Sequence, residues 1–454
     1  MADGIKIYRG TGQIGGIVTE IRKDDHRILI DMGADLPGTK DGGIGDEQLI
    51  EKVFGKGTES VHTDAVLFTH YHGDHVGLKD RIPEGIPMYI GRSAKEIMKI
   101  IAKGVDFVKE RTGHADEVEL PLIEKMIPYW RAGEKKDFDG IGITPLICDH
   151  SALDAYMFII ELNGKRILYT GDFRDHGIPG EDTFEKLIST KVGKINILVT
   201  EGTMVSRSAE EKNNPVHTEE ELGKRAAEIF SGHHENVVLV SSTNLDSIME
   251  FYHATPEDKA FLCDPYQAEV MKAAIEARSR YYKKYRYAKQ IYVLCPGESE
   301  RYMKELESYR IPGTDRCPFG MAKPEEYLKK GFVMLARPNR DPGKETGRFE
   351  ERMKKMKAPF ITYSLWTGYL KGGKAEDPAI VNFMDAYMDR DHMEVLHTSG
   401  HAYVETLKKL MDMIGPEEII PMHTEDPGAF AENGIFAGYR EKIHVLKDGE
   451  PRKI

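Results

Sequence analysis

The stretch that most limits what this chain can fold into is LFTHYHGDHVG, at positions 67–77. Its apolar start fits the end of a buried strand, and the glycine within it gives the following loop freedom to turn. Four metal-ligating side chains lie in that loop, His70, His72, Asp74 and His75. Neutral imidazole and carboxylate suit zinc and similar divalent ions. The stretch therefore predicts a divalent-metal site at a strand end, in which the first two ligands serve one ion and the last two serve a second.

Composition narrows the class of protein. The chain has 454 residues, of which 40% are hydrophobic and 30% charged, enough for two or three domains. No apolar run is long enough to cross a membrane, and the start MADGIKIYRG lacks the features of a signal peptide. We therefore expect a cytoplasmic protein with no membrane partner. The four cysteines show no regular spacing, so any metal must be held by His and carboxylate.

Short apolar runs organise the rest of the sequence. RILIDMG, DAVLFTH, RILYTGD, INILVTEG and VVLVSST each end in a polar residue, as buried strands do when their ends reach an edge of the sheet. Residues 218–231, TEEELGKRAAEIFS, predict a helix that opens with a capping box. The glycines of RGTGQIGG have the spacing of a dinucleotide-binding turn, but β-like runs follow them, so a turn between strands is favoured. The pattern as a whole predicts a layered α/β fold.

The histidine motif resembles the signature of the metallo-β-lactamase superfamily. This resemblance implies an αββα sandwich with metal ions at its edge. It also implies a third histidine for the first ion, which fits His150 in ICDHSALDAY, and a bridging aspartate, which fits Asp172 in ILYTGDFRDHG. Asp31, at the end of RILIDMG, fits the aspartate that supports the metal histidines, although D-x-G is also a common turn.

The length of the chain points to one branch of that superfamily. Roughly 150 residues beyond a simple superfamily hydrolase separate Glu201 from the last helix–strand pairs. This layout resembles the β-CASP nucleases, which include RNase J, and implies an inserted α/β domain. Three further stretches fit the family: LVTEGT gives Glu201, LHTSGHA gives His401, and IIPMHTE gives His423 as the missing ligand of the second ion. The expected boundaries are a first metallo-β-lactamase part at 1–205, a β-CASP insertion at 206–365 and a completing part at 366–454.

The resemblance implies a zinc-dependent ribonuclease that hydrolyses phosphodiester bonds of single-stranded RNA. Two ions, zinc or alternatively Mn²⁺ or another divalent metal, would activate the attacking hydroxide, with Asp74 among the catalytic ligands. His401, held by Glu201, is the expected general acid, and the products would carry a 5′-phosphate and a 3′-hydroxyl. A phosphate-binding or structural role for His401 is the alternative. His423 favours RNA because the DNA-processing branch typically has valine there.

Further residues are expected to contact the substrate. His397 and Ser399 share the loop of His401, and Ser242, Asn244 and Ser364 are phosphate candidates, although the stretch at 242–244 fits a helix N-cap equally well. The stretch RSRYYKKYRYAK, positions 278–289, interleaves tyrosines with basic residues that include Lys283, Lys284 and Arg286. Such a composition can stack bases and contact phosphates, or it can form a solvated helix face. A local basic stretch of this kind is compatible with the net charge of −12.

Other functions stay open. A DNA-processing nuclease or a small-molecule hydrolase would use the same metal ligands, although the latter leaves the insertion unexplained. A non-catalytic scaffold subunit of an RNA-processing complex is the alternative of another class, but such members tend to lose metal ligands. We expect no counterpart of the extra C-terminal domain of long RNase J proteins, so a homodimer is left as an alternative. Exonucleolytic and endonucleolytic cleavage are both compatible with the sequence.

Overall fold

The computed structural model describes residues 3–36, 43–55, 61–111, 119–178, 183–211, 214–276, 289–294, 300–337, 353–373, 375–387 and 392–454. The chain divides into two compact units. The first contains residues 1–175, 182–213 and 400–454, and the second contains residues 176–181 and 214–399.

The first unit contains two β-sheets. Its strands are β1 (Gly4–Arg9), β2 (Val18–Lys23), β3 (His26–Ile30), β4 (His62–Leu67), β5 (Met88–Ile90), β6 (Ile127–Pro128), β7 (Lys136–Phe138), β8 (Ile141–Cys148), β9 (Ala155–Leu162), β10 (Lys165–Tyr169), β11 (Ile197–Glu201), β19 (Glu418–Met422) and β20 (Pro451–Lys453). One sheet has the order β20-β1-β2-β3-β4-β5-β6, and the other has the order β19-β11-β10-β9-β8-β7.

Apolar side chains fill the space between these two sheets. Ile28 and Leu67 from one sheet share a buried cluster with Phe158, Ile160 and Val199 from the other. Strands β9 and β11 are buried at nearly every residue because both faces of the second sheet are covered. Its other face packs against helical segments and forms a separate buried cluster. The helices of this unit are Asp46–Phe54, Gly73–Val76, Arg92–Arg111, Leu120–Lys125, Phe184–Leu187, Thr203–Glu211, Val404–Ile414 and Gly428–Glu432.

The second unit is built on a parallel sheet. Its strands are β12 (Glu235–Val240), β13 (Ala260–Cys263), β14 (Ile291–Val293), β15 (Phe319–Met321), β16 (Phe332–Ala336), β17 (Phe360–Ser364) and β18 (Met393–Val395). They lie in the order β15-β14-β13-β16-β12-β17-β18, and each pairing among them is parallel. The described α-helices of this unit are Glu219–Gly232, Leu245–Ala254, Pro265–Glu276, Glu300–Ser308, Pro324–Lys330 and Pro378–Tyr387. All but the first lie between consecutive strands of this sheet and supply the crossover connections that parallel neighbours need.

The predicted elements agree with those of the structure. Each apolar run named above is a strand, and the helix at Glu219–Gly232 opens with the predicted capping box between Thr218 and Glu221. The glycine-rich stretch connects β1 to β2, which are antiparallel, so it is a turn between strands. Among the described residues, no helix has both the length and the apolar character needed to cross a bilayer.

The second compact unit differs from the predicted insertion at 206–365: it includes residues 176–181, begins its main part at residue 214 and extends past residue 365. The sequence predicts that the insertion ends at residue 365, whereas the second compact unit extends to Ser399. The difference arises because β18 pairs with β17, with Met393 opposite Ile361. That pairing keeps the segment after residue 365 with the second unit.

Candidate metal centre

Strand direction brings the predicted ligands of the first unit to one edge. In one sheet β3 and β4 are parallel, so Asp31 and the histidine loop follow strands that end at the same edge. In the other sheet β10, β11 and β19 are parallel, and β8 points the same way because β9 is antiparallel to both β8 and β10. His150, Asp172 and His423 follow these strands, so they lie at their carboxyl ends.

Three imidazoles form the first group at this edge. His70, His72 and His150 each offer a nitrogen atom within 4.8 Å of the others. His150 Nε2 lies 3.3 Å from His72 Nδ1, and the other nitrogen of His150 contacts the Gly400 carbonyl oxygen at 2.6 Å. Burial lowers the pKa of His72 to about 4 and lowers the pKa of His70 and of His150 well below 6.5, with neighbouring histidines adding to the effect. The three rings are therefore held neutral, which is the ligating form.

Carboxylate and imidazole form the second group. Asp74, His75, Asp172 and His423 also offer ligand atoms within 4.8 Å of one another. His75 Nε2 lies 3.1 Å from Asp172 Oδ2, and His423 Nε2 lies 3.2 Å from Asp74 Oδ2. Burial opposes the charge on Asp172, but the surrounding histidines outweigh it and lower the pKa of that carboxyl well below 3.8. Asp172 also lies 3.9 Å from His70, so it adjoins both groups.

Asp31 holds one of the proposed metal ligands, His75, in place. Its carboxylate lies 2.8 Å from His75 Nδ1 and accepts from the Thr69 amide at 2.7 Å. Burial raises the pKa of Asp31, although His75 and Thr69 favour the charged form. The backbones of Asp31 and His423 have φ of 61° and 50°, in the left-handed region that few non-glycine residues adopt, Asp and His being among those that do so most often. Such conformations concentrate at functional sites, where the surrounding structure enforces them.

The buried Glu201 and the partly exposed His401 form a pair beside the second group. His401 Nδ1 lies 2.9 Å from Glu201 Oε2, and the His401 side chain is 21% exposed. Glu201 Oε1 accepts from the amides of Phe173, at 3.0 Å, and Ala402, at 3.4 Å, which fixes the carboxylate. Burial works against the charged form of His401, but Glu201 and then Asp172 outweigh it and raise the pKa of the imidazole.

The pair also adjoins the proposed ligands. Glu201 and His401 have ligand atoms within 4.8 Å of those of Asp172 and His423. The geometry alone is thus compatible with His401 as a proton donor or as a metal ligand.

The predicted phosphate contacts lie in the second unit and differ in their surroundings. Asn244 is the N-cap of helix Leu245–Ala254, and its side chain accepts from the Ser247 amide. Ser364 ends β17 and pairs with Val240, the last residue of β12. The hydroxyl groups of Ser242 and Ser364 are buried and have no hydrogen-bond partner among the described residues. Two hydroxyls without a partner among the described residues thus lie at, or just after, the carboxyl ends of two neighbouring parallel strands.

The remaining predicted contacts contribute backbone interactions or fall outside the described residues. The carbonyl of His397 accepts from Asn214, and the carbonyl of Ser399 contacts His176 Nε2 at 2.8 Å. Lys283, Lys284 and Arg286 lie outside the residues that the structure describes.

Three residues at the site were not singled out by the sequence. Thr69 contacts Asp31, and Thr203 Oγ1 lies 2.8 Å from His423 Nδ1, so both threonines orient a neighbour. Gly400 offers its carbonyl to His150, and a Cβ at that position would lie 2.8 Å from the Ser151 hydroxyl. The sequence marks these three residues only by position, because each lies within two positions of a predicted site residue.

The donor set fits divalent cations. Imidazole and carboxylate are the ligands that zinc and related metals take in proteins. Two buried polar atoms, His70 Nε2 and Asp172 Oδ1, have no hydrogen-bond partner among the described residues. Buried polar groups are costly when left unpaired, and a cation between the two groups would satisfy both atoms. A two-sheet sandwich with such a divalent-metal site at its edge defines the class of metallo-hydrolases.

Comparison with known proteins identifies the family. Residues 26–270 match the beta-lactamase superfamily domain, and residues 390–445 match the Zn-dependent metallo-hydrolase RNA specificity domain. The chain belongs to the metallo-β-lactamase superfamily and, within it, to the β-CASP nucleases. The fold is accordingly a metallo-β-lactamase sandwich with an inserted α/β domain, as the sequence predicts.

Individual relatives are distant. Endoribonuclease YSH1 of Mycosarcoma maydis is 28% identical over 170 residues, covering 34% of this chain and 18% of that protein. Ribonuclease J of Helicobacter pylori is 22% identical across 98% of this chain and 60% of its own length. Ribonuclease J 1 of Streptococcus pyogenes is 20% identical across 98% of this chain and 73% of its own length. The chain thus spans less than two thirds of the first two relatives.

A solved structure shares the fold. The crystal structure of a protein of unknown function from Enterococcus faecalis V583 aligns with a TM-score of 0.69 over 99% of both chains. The sequence identity of 18% limits this likeness to the fold.

Proposed function

We propose that the protein is a zinc-dependent ribonuclease that hydrolyses phosphodiester bonds in single-stranded RNA and leaves 5′-phosphate and 3′-hydroxyl ends. The observation that carries the proposal is the hydrogen-bonded Glu201–His401 pair beside the histidine–aspartate groups. A metal site alone would serve many hydrolases. A positioned imidazole next to it supplies the proton that a poor leaving group needs.

Seven side chains would hold two ions. His70, His72 and His150 would bind one, Asp74, His75 and His423 would bind the other, and Asp172 would contact both. Divalent ions bound there would lower the pKa of a water molecule and offset the negative charge of a phosphodiester. The supporting residues fix the donor atoms: Asp31 holds His75, and Thr203 holds His423.

His401 would act on the departing oxygen. A ribose 3′-oxygen leaves poorly as an alkoxide, so it needs a proton as the bond to phosphorus breaks. Glu201 favours the protonated imidazole and orients it through Nδ1. Because two backbone amides fix Glu201, the imidazole is held before substrate arrives.

The choice of RNA has separate support. His401 and His423 both lie in the segment that matches the RNA specificity domain. The relatives named above are ribonucleases by name. Ser242 and Ser364 offer unpaired hydroxyls that suit phosphate oxygens, while the basic stretch with Lys283, Lys284 and Arg286 would add charge and stacking. A cytoplasmic location stays a prediction, and a homodimer stays an alternative.

One assay tests the proposal. Metal-loaded protein is incubated with end-labelled single-stranded RNA, with DNA of the same sequence and with a carboxylic ester. We expect RNA to be cut much faster than DNA, with little hydrolysis of the ester. Equal rates on RNA and DNA would contradict the RNA assignment, and hydrolysis of the ester alone would contradict the nuclease assignment.

The same gel needs a matched control. Asp172→Asn should abolish cleavage while changing few atoms, and its preparation controls for contaminating nuclease. Laddering or internal cuts in the wild-type lane would distinguish exonucleolytic from endonucleolytic cleavage.

A further inference from the structure

A second histidine–aspartate cluster lies in the first unit, away from the candidate metal centre. His26, Asp64 and Asp139 have ligand atoms within 4.8 Å of one another. His26 opens β3 and Asp64 lies near the start of β4, whereas the candidate metal centre follows the carboxyl ends of these strands. Five strand residues separate the two ends, which is roughly 15 Å at the usual rise per residue. We call this group the peripheral cluster.

The distances within the peripheral cluster resemble those of a metal site. His26 Nδ1 lies 3.0 Å from Asp64 Oδ1 and 3.5 Å from Asp139 Oδ2. A fourth donor is close, because His62 Nε2 lies 3.4 Å from Asp64 Oδ1. Ligand bonds of 2.0–2.1 Å in tetrahedral geometry place neighbouring donor atoms about 3.3 Å apart. The two separations from His26 bracket that value, whereas His62 is close to Asp64 but is not in the group whose ligand atoms all lie within 4.8 Å of one another.

Burial distinguishes Asp64 from an ordinary surface carboxylate. Its side chain is only 9% exposed, although that of Asp139 is 65% exposed and that of His62 is 70% exposed. Within the described part of the chain, the polar contacts of its carboxylate are the imidazoles of His26 and His62. A largely buried carboxylate usually has amide or guanidinium donors, or coordinates a metal. A neutral imidazole has one N–H that can donate to a carboxylate and one bare nitrogen that can ligate a metal, so both rings could ligate a cation in their ordinary neutral form.

We propose that the peripheral cluster is a structural divalent-cation site, distinct from the candidate metal centre, with zinc as the favoured ion. The ligands are His26, Asp64, Asp139 and His62. Two carboxylates balance the charge of the ion, and two imidazoles favour zinc over calcium or magnesium. The ammonium group of Lys23 is near Gly140, beside Asp139, because a Cβ added at Gly140 would lie 2.9 Å from Lys23 Nζ.

The positions of the ligands in the fold indicate a structural role for the ion. His26, His62 and Asp64 belong to β3 and β4 of one sheet, while Asp139 lies in the turn between β7 and β8 of the other. A bound ion would therefore join the two sheets at the end opposite the candidate metal centre. Because the ligands are distant in sequence, the ion would favour the folded state over the unfolded chain.

Metal counting tests the proposal. Chelator-treated wild type and Asp64→Asn are loaded with Zn²⁺, desalted, and compared by elemental analysis. We expect the variant to hold one zinc per chain fewer than the wild type, because an amide is a poor ligand. His444→Gln is the matched control, since His444 is an exposed histidine 3.9 Å from Glu418, and it should not change the count. Equal counts in wild type and Asp64→Asn would overturn the proposal.

Two further variants keep the test valid if Asp64→Asn does not fold. Asp139→Asn and His62→Gln change exposed side chains, and each should weaken zinc retention at this site. Zinc should also raise the midpoint of thermal unfolding by about 2 °C or more further in wild type than in Asp139→Asn. The same zinc-dependent rise in both proteins would count against the site.

The comparison is independent of RNA cleavage. The difference in zinc between wild type and Asp64→Asn concerns the peripheral cluster alone, whatever the count at the candidate metal centre. All three peripheral variants should cleave RNA at the wild-type rate when zinc is supplied. If the wild-type protein did not cleave RNA, the proposed function would be contradicted. The metal count would still test the peripheral cluster.

Discussion

Replacing His401 with alanine should separate proton transfer from metal binding. His401 is bound through Nδ1 to Glu201, and it lies 3.7 Å from Asp172, so a ligand role is the competing hypothesis. If His401 is a general acid, His401→Ala should keep its metal and lose activity. His423→Ala should instead lose metal and activity together, because His423 contacts Asp74 directly.

The expected magnitudes follow from the contacts. Positioned proton transfer contributes about 10²- to 10⁴-fold in rate, so His401→Ala should lose that much. Glu201→Gln keeps an oxygen that can accept from Phe173 and Ala402, so the local backbone should hold. It removes one charged hydrogen bond to the imidazole, which is worth about 1.5–3 kcal/mol, or roughly 10- to 150-fold. Glu201→Gln should therefore be the milder variant.

The assay compares two leaving groups. One substrate is RNA, whose departing 3′-oxygen needs a proton, and the other is a phosphodiester of p-nitrophenol, whose phenolate leaves without one. The second substrate should recover much of the His401→Ala deficit and little of the His423→Ala deficit. Elemental analysis of the same preparations reports the metal content.

Two outcomes would refute this account. Loss of metal in His401→Ala would make His401 a ligand. An equal deficit on both substrates, with metal retained, would make it a phosphate contact rather than an acid.

Three further predictions concern metal, substrate and stability. Asp74→Ala should hold one divalent ion per chain fewer than wild type, whereas an unchanged elemental count would contradict its role as a ligand. Neutralising Lys283, Lys284 and Arg286 together should raise KM more than it lowers kcat, and should reduce the salt dependence of RNA binding. Unchanged affinity would favour a solvated helix face. Burial, with nearby acids, raises the pKa of Glu250 to about 7 from 4.5. The folded state thus binds the proton more tightly, so the associated stability is complete below about pH 4.5 and is lost as pH rises through 7. Because the side chain is partly exposed, we expect a loss of about 1–2 kcal/mol in the free energy of unfolding between pH 5 and 8. Glu250→Gln should reduce this loss. Identical dependence of the free energy of unfolding on pH in wild type and Glu250→Gln would argue against a shifted pKa.

Local patterns in the sequence were sufficient for the secondary structure and for the first ligand loop. Apolar runs predicted strands such as His62–Leu67 and Ile197–Glu201, because a buried strand needs apolar side chains on both faces. The capping box at Thr218 predicted a helix start, since its two hydrogen bonds join residues three positions apart. The resemblance to β-CASP nucleases then supplied the more distant candidates His401 and His423.

Periodicity did not determine contacts between distant residues. Glu201 and His401 are 200 positions apart, and their hydrogen bond depends on the direction and neighbours of β11. Asn244 was compatible with a phosphate contact or a helix cap, and only the position of helix Leu245–Ala254 made it the cap. The predicted end of the insertion at residue 365 placed the strand at β18 in the completing part, because its pairing with β17 is a contact that the sequence does not reveal.

The peripheral cluster shows the same division between sequence and structure. His26, Asp64 and Asp139 lie in three separate stretches, and no spacing marks them as partners. They meet because β3 and β4 are parallel and because the turn after β7 lies at the same end of the facing sheet. The sequence determined which side chains follow or begin each strand, since that depends on neighbours along the chain. Only the tertiary structure decided which ends meet, because strand order, direction and sheet packing are set by burial of the whole core.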